Sequence, residues 1–295
     1  MHSIKTEKLM KKYGEKIVVN EVDLTVKKGI IFGFLGKNGA GKSTFINMIT
    51  GLSNPTSGEF KLDSSKEKIG VLPDYSSLYD DLTALEHLIY FNKLLKAKKK
   101  KKDLIDILKK VGLDDAINLK AKKFSFGMKK KLALAQTLIN DPEIIFLDEP
   151  TSGVDANSIL TIHNLIVELS KKGTTIFFTS HNLDEVEKIS DEIAIMDKGS
   201  IKIKGNVKKL KEEYTNEIQV NIEFLDLPNY GDIKKVIGEL GVLCNSDGKV
   251  LNVKVNSKKD IVDINKILVE NNYPVYEISI YEPTLEEIFI NSGQS

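Results

Sequence analysis

The chain has 295 residues, of which 41% are hydrophobic and 29% charged; this balance fits one large or two smaller globular domains and excludes a disordered or fibrous chain. Its 43 basic and 42 acidic residues nearly cancel, so no global field argues for nucleic acid as a partner. The single cysteine, Cys244, can make no internal disulfide and fits a reducing cytosol, while the N-terminal "MHSIKTEKLMKKYGEK" lacks the apolar core of a signal peptide and no stretch approaches the ~20 apolar residues that span a bilayer; any work on a membrane is expected to go through a partner.

From Met1 to about Gly205 strand-like and helix-like segments alternate. "VVNEVDLTV" and "IIFGFLG" read as strands, "KSTFINMITGL" as a helix, and "GEFKL" and "KIGVLP" as strands again. A stretch from Thr83 to about Asn140 is predicted mainly helical, interrupted by the lysine run "KAKKKKKD", which reads first as a solvated loop and secondly as a contact for anionic headgroups. "EIIFLDEP" is a buried strand, "ANSILTIHNLIVELSKKG" a helix ended by Gly173, and "TTIFFTSH" another buried strand. Short, wholly apolar strands separated by helices predict a parallel sheet covered on both faces. Past Gly205 the texture changes. "EIQVNIEF" places Ile218, Val220, Ile222 and Phe224 on one face; "DIKKVIGEL" is a short amphipathic helix; "VLC-NSDG-KVLNVKV" is a hairpin around a turn-forming quartet; "KDIVDINKILVENN" is helical and "VYEISIY" a strand. The order β-α-β-β-α-β predicts a small ferredoxin-like domain. A closing helix, "PTLEEIFI", places Pro283 in the first turn.

The strongest chemical signal is "GKNGAGKST", Gly36 to Thr44, preceded by a strand and followed by a helix. Backbone N–H groups around Gly39, Gly41 and Lys42 can wrap phosphate oxygens, and glycines are needed because side chains would block that approach. Lys42 would reach the β- and γ-phosphates of ATP and Ser43 would hold Mg²⁺. A second signal is "IIFLDEP", an apolar strand ending in Asp148 and Glu149; acids at the carboxyl end of a parallel strand stand where open α/β sheets bind ligands. Asp148 suits Mg²⁺ and Glu149 suits polarisation of an attacking water. His181 ends the next buried strand, where a γ-phosphate contact would be placed if the strands are neighbours. A third feature is "KKFSFGMKKKLALAQ", in which Ser125 and Gly127 open a helix. A local N-cap explains Ser125; a hydroxyl, a glycine and a helix N-terminus also make a second anion site. If that site does not fold back onto its own phosphate loop, it serves the loop of a second copy.

Taken together and in order, "GKNGAGKST", "FSFGMKKKLALAQ", "IIFLDEPTSGVD" and "TSH" resemble the nucleotide-binding subunit of an ATP-binding cassette (ABC) transporter over about residues 2 to 210. The resemblance implies a RecA-like P-loop NTPase core of α/β class with an antiparallel β-subdomain and a helical subdomain at about 83–140, the cassette spanning 1–210 and a small C-terminal α+β domain spanning 215–295. It implies an ATPase that dimerises head to tail around two ATP, each held between the phosphate loop of one copy and the Ser125–Gly127 signature of the other. Gly36, Asn38, Gly39, Ala40, Gly41, Lys42, Ser43 and Thr44 fall in the phosphate-binding loop, and Tyr13 falls where the family stacks an aromatic ring on adenine. Lys42, Ser43, Asp148, Glu149 and His181 take the roles of phosphate lysine, Mg²⁺ ligand, Mg²⁺-water acid, catalytic base and γ-phosphate sensor. "SGVD", ending at Asp155, matches the loop through which each site senses the other; helix capping by Asp155 is its local reading.

Three departures accompany the resemblance. The usual signature is Leu-Ser-Gly-Gly-Gln, and here Phe124, Ser125, Phe126, Gly127 and Met128 stand in its place, in the manner of an exporter branch that works with simple bundled permeases. Asp74 stands where the family has a glutamine that touches Mg²⁺ and the attacking water, and Lys37 stands where proline is frequent, with its side chain expected outward. "IMDKGSIKIKGNVKKLKEEY" and "YEPTLEEIFI" resemble the same branch, whose members handle antimicrobial peptides, drugs, ions or cell-surface polymers. The expected partners are a transmembrane permease and a second copy of the ATPase, at the cytoplasmic face of the membrane and without nucleic acid. A soluble ABC ATPase of translation or DNA repair is the alternative, disfavoured by the single cassette, the lack of sustained heptads and the near-neutral charge. A module that has lost hydrolysis is disfavoured by intact Lys42, Glu149 and His181.

Overall fold

A twelve-residue strand opens the chain: β1 (His2–Tyr13) pairs antiparallel with β2 (Lys16–Lys27). This is a computed structural model, and it describes residues 1–292 except 75–77, 215–217, 227, 228 and 282. Next come β3 (Ile31–Leu35), α1 (Lys42–Ile49), β4 (Ser57–Leu62) and β5 (Ile69–Leu72). Three helices follow, α2 (Ala84–Leu94), α3 (Lys101–Lys110) and α4 (Phe126–Thr137). The chain then alternates through β6 (Ile144–Leu147), α5 (Ala156–Lys171), β7 (Thr175–Ser180), α6 (Leu183–Ile189), β8 (Glu192–Asp197), β9 (Ser200–Asn206) and α7 (Val207–Tyr214). The C-terminal elements are β10 (Ile218–Phe224), α8 (Tyr230–Ile237), β11 (Val242–Asp247), β12 (Val250–Val255), α9 (Lys258–Glu270), β13 (Val275–Ile280) and α10 (Leu285–Ser292). Contacts divide the chain into units Met1–Val207 and Lys208–Ser295.

In the first unit a six-stranded sheet runs β5-β6-β7-β3-β8-β9, parallel except for β9. Its strands β3, β6 and β7 are buried at every position, which is why their apolar residues run consecutively rather than alternate, with hydroxyl residues only at the ends of β7. A three-stranded antiparallel sheet, β2-β1-β4, shares a core with it, built from Ile4, Leu9, Val22 and Leu24 on one side and Phe32, Phe34 and Phe177 on the other. Helix α1 is fixed into that core by Phe45, whose ring lies 4.9 Å from Phe34 and 6.0 Å from Phe177. Helices α2, α3 and α4, which lie between β5 and β6 in chain order, pack on one another, with Leu88, Leu104, Leu108 and Leu132 buried. Thr83 and Glu86 form a capping box that starts α2. The lysine run forms the α2–α3 connection and the first turn of α3, with the Asn92 amide bonded to both the N–H and the carbonyl of Lys99.

The second unit is a four-stranded antiparallel sheet of order β11-β12-β10-β13, in the ferredoxin-like connection β-α-β-β-α-β. Val220, Ile222 and Phe224 of β10 are buried against Ile233 and Ile237 of α8 and Ile264 and Leu268 of α9. Two local expectations are corrected here. The hairpin turns at Gly248 and Lys249, so that β11 runs on through Asp247 and the turn is two residues rather than a quartet. Pro283 lies outside α10, because Thr284 is the cap: its hydroxyl accepts the Glu287 N–H at 3.2 Å and its own N–H donates to Glu287 Oε2 at 2.8 Å.

Phe45 is wholly buried, so Phe45→Ala is expected to cost about 3–5 kcal/mol, read from urea unfolding. His87 supplies a pH dependence. Its Nδ1–H donates to the Thr83 carbonyl at 3.0 Å and its Nε2 accepts the Tyr79 N–H at 2.8 Å, an arrangement that only the neutral ring can make. Burial lowers its pKa below the ordinary 6.5, against the Thr83 carbonyl and the Glu86 and Asp80 charges. The unfolded chain therefore takes up this proton first, and the stabilisation is whole above 6.5 and lost as pH falls through the folded value. The urea midpoint is expected to fall between about pH 7.5 and about pH 5.5, with a shallower slope in His87→Gln; His163, lowered mainly by its own burial, supplies a further part in the same direction.

Candidate nucleotide site

Strand β7 lies between β6 and β3, with Leu35 opposite Ser180 and Leu147 opposite Phe178. The loops that leave these three strands therefore open at one end of the sheet, where ligands of open parallel sheets bind. The phosphate loop follows β3. Gly41 has φ +111°, and a Cβ there would stand 2.5 Å from the Val18 carbonyl oxygen, so β2 passes too close for any other residue. Helix α1 then begins with no side-chain cap and no acid in its first turn. Its first N–H groups and its dipole are left for an anion. Lys37, Asn38 and Gly39 are exposed along the loop, Ala40 is buried, Ser43 is exposed and Thr44 half-buried. The buried Lys42 ammonium donates to the Gly36 carbonyl at 2.6 Å and stands 3.2 Å from Glu149 Oε1.

The acids follow β6. Asp148 and Glu149 are both buried, at 4% and 9% exposure, and each has a specific partner. The Thr179 hydroxyl donates to Asp148 Oδ1 at 2.6 Å and accepts the Glu149 N–H at 2.9 Å. Glu149 adopts φ +48°, a left-handed backbone uncommon for a side-chain-bearing residue. Its Oε2 lies 2.8 Å from His181 Nδ1. A carboxylate only accepts, so Nδ1 carries the hydrogen and Nε2 is left for another partner. Oε1 makes no well-formed hydrogen bond and has the Lys42 charge beside it. Lysine, carboxylate and imidazole thus form one chain across the mouth of the phosphate loop.

Tyr13 ends β1 across from Lys16, two residues before the Val18 that touches Gly41. Its ring is half exposed, with the Lys11 ammonium 5.0 Å from the centroid. Ser125 caps α4 by accepting the Met128 N–H at 3.2 Å, so the local reading holds. Ser125 and Phe126 are exposed and Gly127 is buried. A Cβ on Gly127 would stand 3.0 Å from Asp155 Oδ2 and 3.1 Å from Ser158 Oγ, so glycine lets α4 meet the start of α5. Asp155 itself caps α5 through the Ser158 N–H at 3.0 Å; that N–H, and then the Ser158 hydroxyl, hold its carboxyl below the ordinary carboxylate pKa. No described contact joins Ser125 or Gly127 to the phosphate loop. Asp74 meets Lys130, whose ammonium lies 2.8 Å from the Asp74 carbonyl oxygen, 3.5 Å from Asp74 Oδ1 and 3.1 Å from the Glu149 carbonyl oxygen.

Sequence reasoning missed Thr179 and Lys130. A threonine closing the apolar run "TTIFFT" is a signal for the first, since a buried hydroxyl needs a partner. Lys130 sits inside a run of three lysines, and nothing in the order of residues marks which one turns inward. Glu185 was missed as well; it accepts the Thr151 hydroxyl at 2.6 Å and ties the segment after β6 to α6. Beside Asp74, a groove of about 440 Å³ is lined by Val71, Pro73, Phe91, Leu95, Ala133 and Thr137 among others.

The sequence profile of the ABC transporter family matches residues 19–152, and that of the C-terminal domain of DrrA1-3-like ATP-binding proteins matches residues 205–292. The chain is 34% identical over 312 aligned residues to the bacitracin transport ATP-binding protein BcrA of Bacillus licheniformis, covering 97% of this chain and 96% of that one. It belongs to the ABC transporter ATP-binding proteins. It is also 31% identical to the linearmycin resistance ATP-binding protein LnrL of Bacillus subtilis (strain 168), covering 98% of this chain and 97% of that one. A bacterial ABC transporter cassette solved as a dimer superimposes with a TM-score of 0.64 at 26% identity, over 69% of this chain and 98% of its own. The same cassette in a post-hydrolysis state bound to ADP and Pi gives 0.62 at 26% identity, with the same coverage. The chain is an ABC transporter ATPase subunit, and the relatives it aligns with are transport and resistance ATP-binding proteins. Alignment along nearly the whole chain with transport and resistance proteins disfavours a translation or repair ATPase.

Thr179→Val keeps the shape and removes the hydroxyl. It is expected to cost about 1–3 kcal/mol in urea unfolding, because the buried Glu149 N–H loses its acceptor, and to lower steady-state ATP hydrolysis about 10- to 100-fold.

Proposed function

We propose that two copies close head to tail around two ATP, the phosphate loop of each facing Ser125 and Gly127 of the other, and that hydrolysis drives export through a separate membrane permease. One observation carries this reading: Lys42, Glu149 and His181 meet at the phosphate loop, while the exposed Ser125 caps its own helix and the buried Gly127 lies against the start of α5. The base, lysine and sensor are then supplied by one copy and the second anion site by its partner.

In this reading Gly36, Asn38, Gly39, Ala40, Gly41 and Thr44 cradle the phosphates, Tyr13 stacks on adenine, and Lys42 neutralises charge on the β- and γ-phosphates. Glu149 orients and deprotonates the attacking water. His181, with Nδ1 held by Glu149, presents Nε2 to the γ-phosphate. Ser43 and Asp148 are hard oxygen donors that fit Mg²⁺, with Asp74 at the margin. Among the described residues no group of three or more His, Cys, Asp or Glu is set to hold a metal alone, so the ion would share its ligands with the phosphates and water. Bound Mg²⁺ supplies charge neutralisation at the transferring phosphoryl group.

The groove beside Asp74, with its apolar lining and a floor made by β5 and α4, fits a short helix of the permease. Among the described residues no helix is long and apolar enough to cross a membrane, and peripheral attachment at the cytoplasmic face through that permease accords with it. The cassette would end near residue 210 and the ferredoxin-like domain, 215–295, would be an accessory module. Glu149→Gln keeps every phosphate contact and removes the base, so with ATP and Mg²⁺ it is expected to double in mass by light scattering and to stay so. A mass that remains monomeric at saturating ATP overturns the shared site; Lys42→Ala, lacking the phosphate lysine, is expected to show neither turnover nor the dimer.

A further inference from the structure

Lys130 is a buried ammonium, 5% exposed, in a helix that no nucleotide role claims at that position. A lysine so buried must find acceptors or lose its charge. It finds three oxygens, on two separate segments: the carbonyl and Oδ1 of Asp74, after β5, and the carbonyl of Glu149, after β6. The Glu149 carbonyl belongs to the residue with φ +48°, a conformation held only where surroundings over-determine it. Thr179 grips that residue through its N–H, and Lys130 grips it through its carbonyl. The two grips lie on either side of the Glu149 side chain, so together they set where the carboxylate points.

We propose that Lys130 is a positioning residue for ATP hydrolysis, which couples Asp74 to the backbone of the base Glu149. The proposal rests on the reading of Glu149 as the base. It also gives Asp74 a task that a neutral glutamine would perform differently: its carboxylate balances the Lys130 charge, which would otherwise be buried beside two carbonyl dipoles alone. Lys130 stands three residues after Gly127 and three before Ala133, on neighbouring turns of one helix. Ala133 and Thr137 line the groove that also contains Pro73. A partner that displaces Pro73 and α4 therefore moves Lys130, and with it the Glu149 carbonyl.

The test is steady-state ATP hydrolysis by the purified full chain and the variants Lys130→Met, Lys130→Arg, Asp74→Asn and the double variant Asp74→Asn/Lys130→Met. Lys130→Met is expected to lower kcat at least about tenfold while KM for ATP stays within about twofold, since no nucleotide contact is removed. Lys130→Arg, which keeps charge and donors, is expected to recover kcat to within about threefold of the parent. The double variant is expected to be no worse than Lys130→Met, because the two side chains act as one unit. Independent losses that multiply, a KM effect without a kcat effect, or an unchanged kcat in Lys130→Met would each overturn the proposal. Should Lys130→Met fail to fold, Lys130→Gln takes its place in the same cycle under the same criteria. A parent chain with no ATP turnover would instead refute the assignment of Glu149, and the two failures are distinct.

Discussion

The chemistry of this chain depends on the register of three parallel strands. Phe177 sits at the middle of β7, with Phe32 and Phe34 of β3 at 5.5 and 5.3 Å and Phe146 of β6 at 5.6 Å between ring centroids. These rings fix the strands side by side and carry α1 through Phe45. A slip of one residue in any of them would send a phenyl group to the opposite face and withdraw a loop from the site. The phosphate loop, the acid pair and His181 meet because an apolar layer several ångströms below them permits one alignment.

On that layer the protein buries charge. Lys42, Lys130, Asp148 and Glu149 are each less than a tenth exposed. Such groups contribute little to stability for their number, since desolvation opposes the attraction. They do fix direction. Each is held by oriented groups: Asp148 by the Thr179 hydroxyl, Glu149 by His181 and Thr179, Lys42 by the Gly36 carbonyl, and Lys130 by three oxygens. A reaction that depends on placing a carboxylate against a water molecule benefits from such fixed groups, because little reorganisation is needed when charge moves.

Much of this was legible in the order of residues. The apolar runs of β3, β6 and β7 announced a covered parallel sheet, and the alternation in β10 announced a half-covered antiparallel one. The glycines, Lys42, the acid pair and His181 stood out as candidates because each follows an apolar strand, and the adjacency of β6, β7 and β3 brings them to one end of the sheet. β1 was not anticipated, although it is the longest strand with β2: lysines and Glu7 fill much of its outer face, and irregular register at Thr6, Leu9 and Lys11 breaks the alternation. Its inward Ile4, Thr6 and Leu9 become a pattern only once a partner strand is known. Thr179 and Lys130 were missed for a related reason. Their roles arise between segments that are distant in sequence, as with Lys130 and Asp74, and periodicity carries no such information.

Helix α4 draws these threads together. Its N-cap is Ser125; its first turn rests on Asp155 and Ser158 through the bare Gly127; its second reaches Asp74 and Glu149 through Lys130; and its last turns wall the groove with Ala133 and Thr137. A helix of this kind is stiff along its axis, because each turn is hydrogen-bonded to the next. If Ser125 belongs to a nucleotide held by a second copy, then drawing the α4 N-terminus toward that nucleotide also pulls on the segment that holds this copy's base. Phe126, exposed and so near Gly153 that a Cβ added there would stand 3.1 Å from its ring, extends the same contact to the loop before Asp155. Ordinary packing then suffices to make hydrolysis in one site sensitive to closure at the other, with no long relay of side chains: the two ends of one rigid element are bound to different sites, and moving either end moves both.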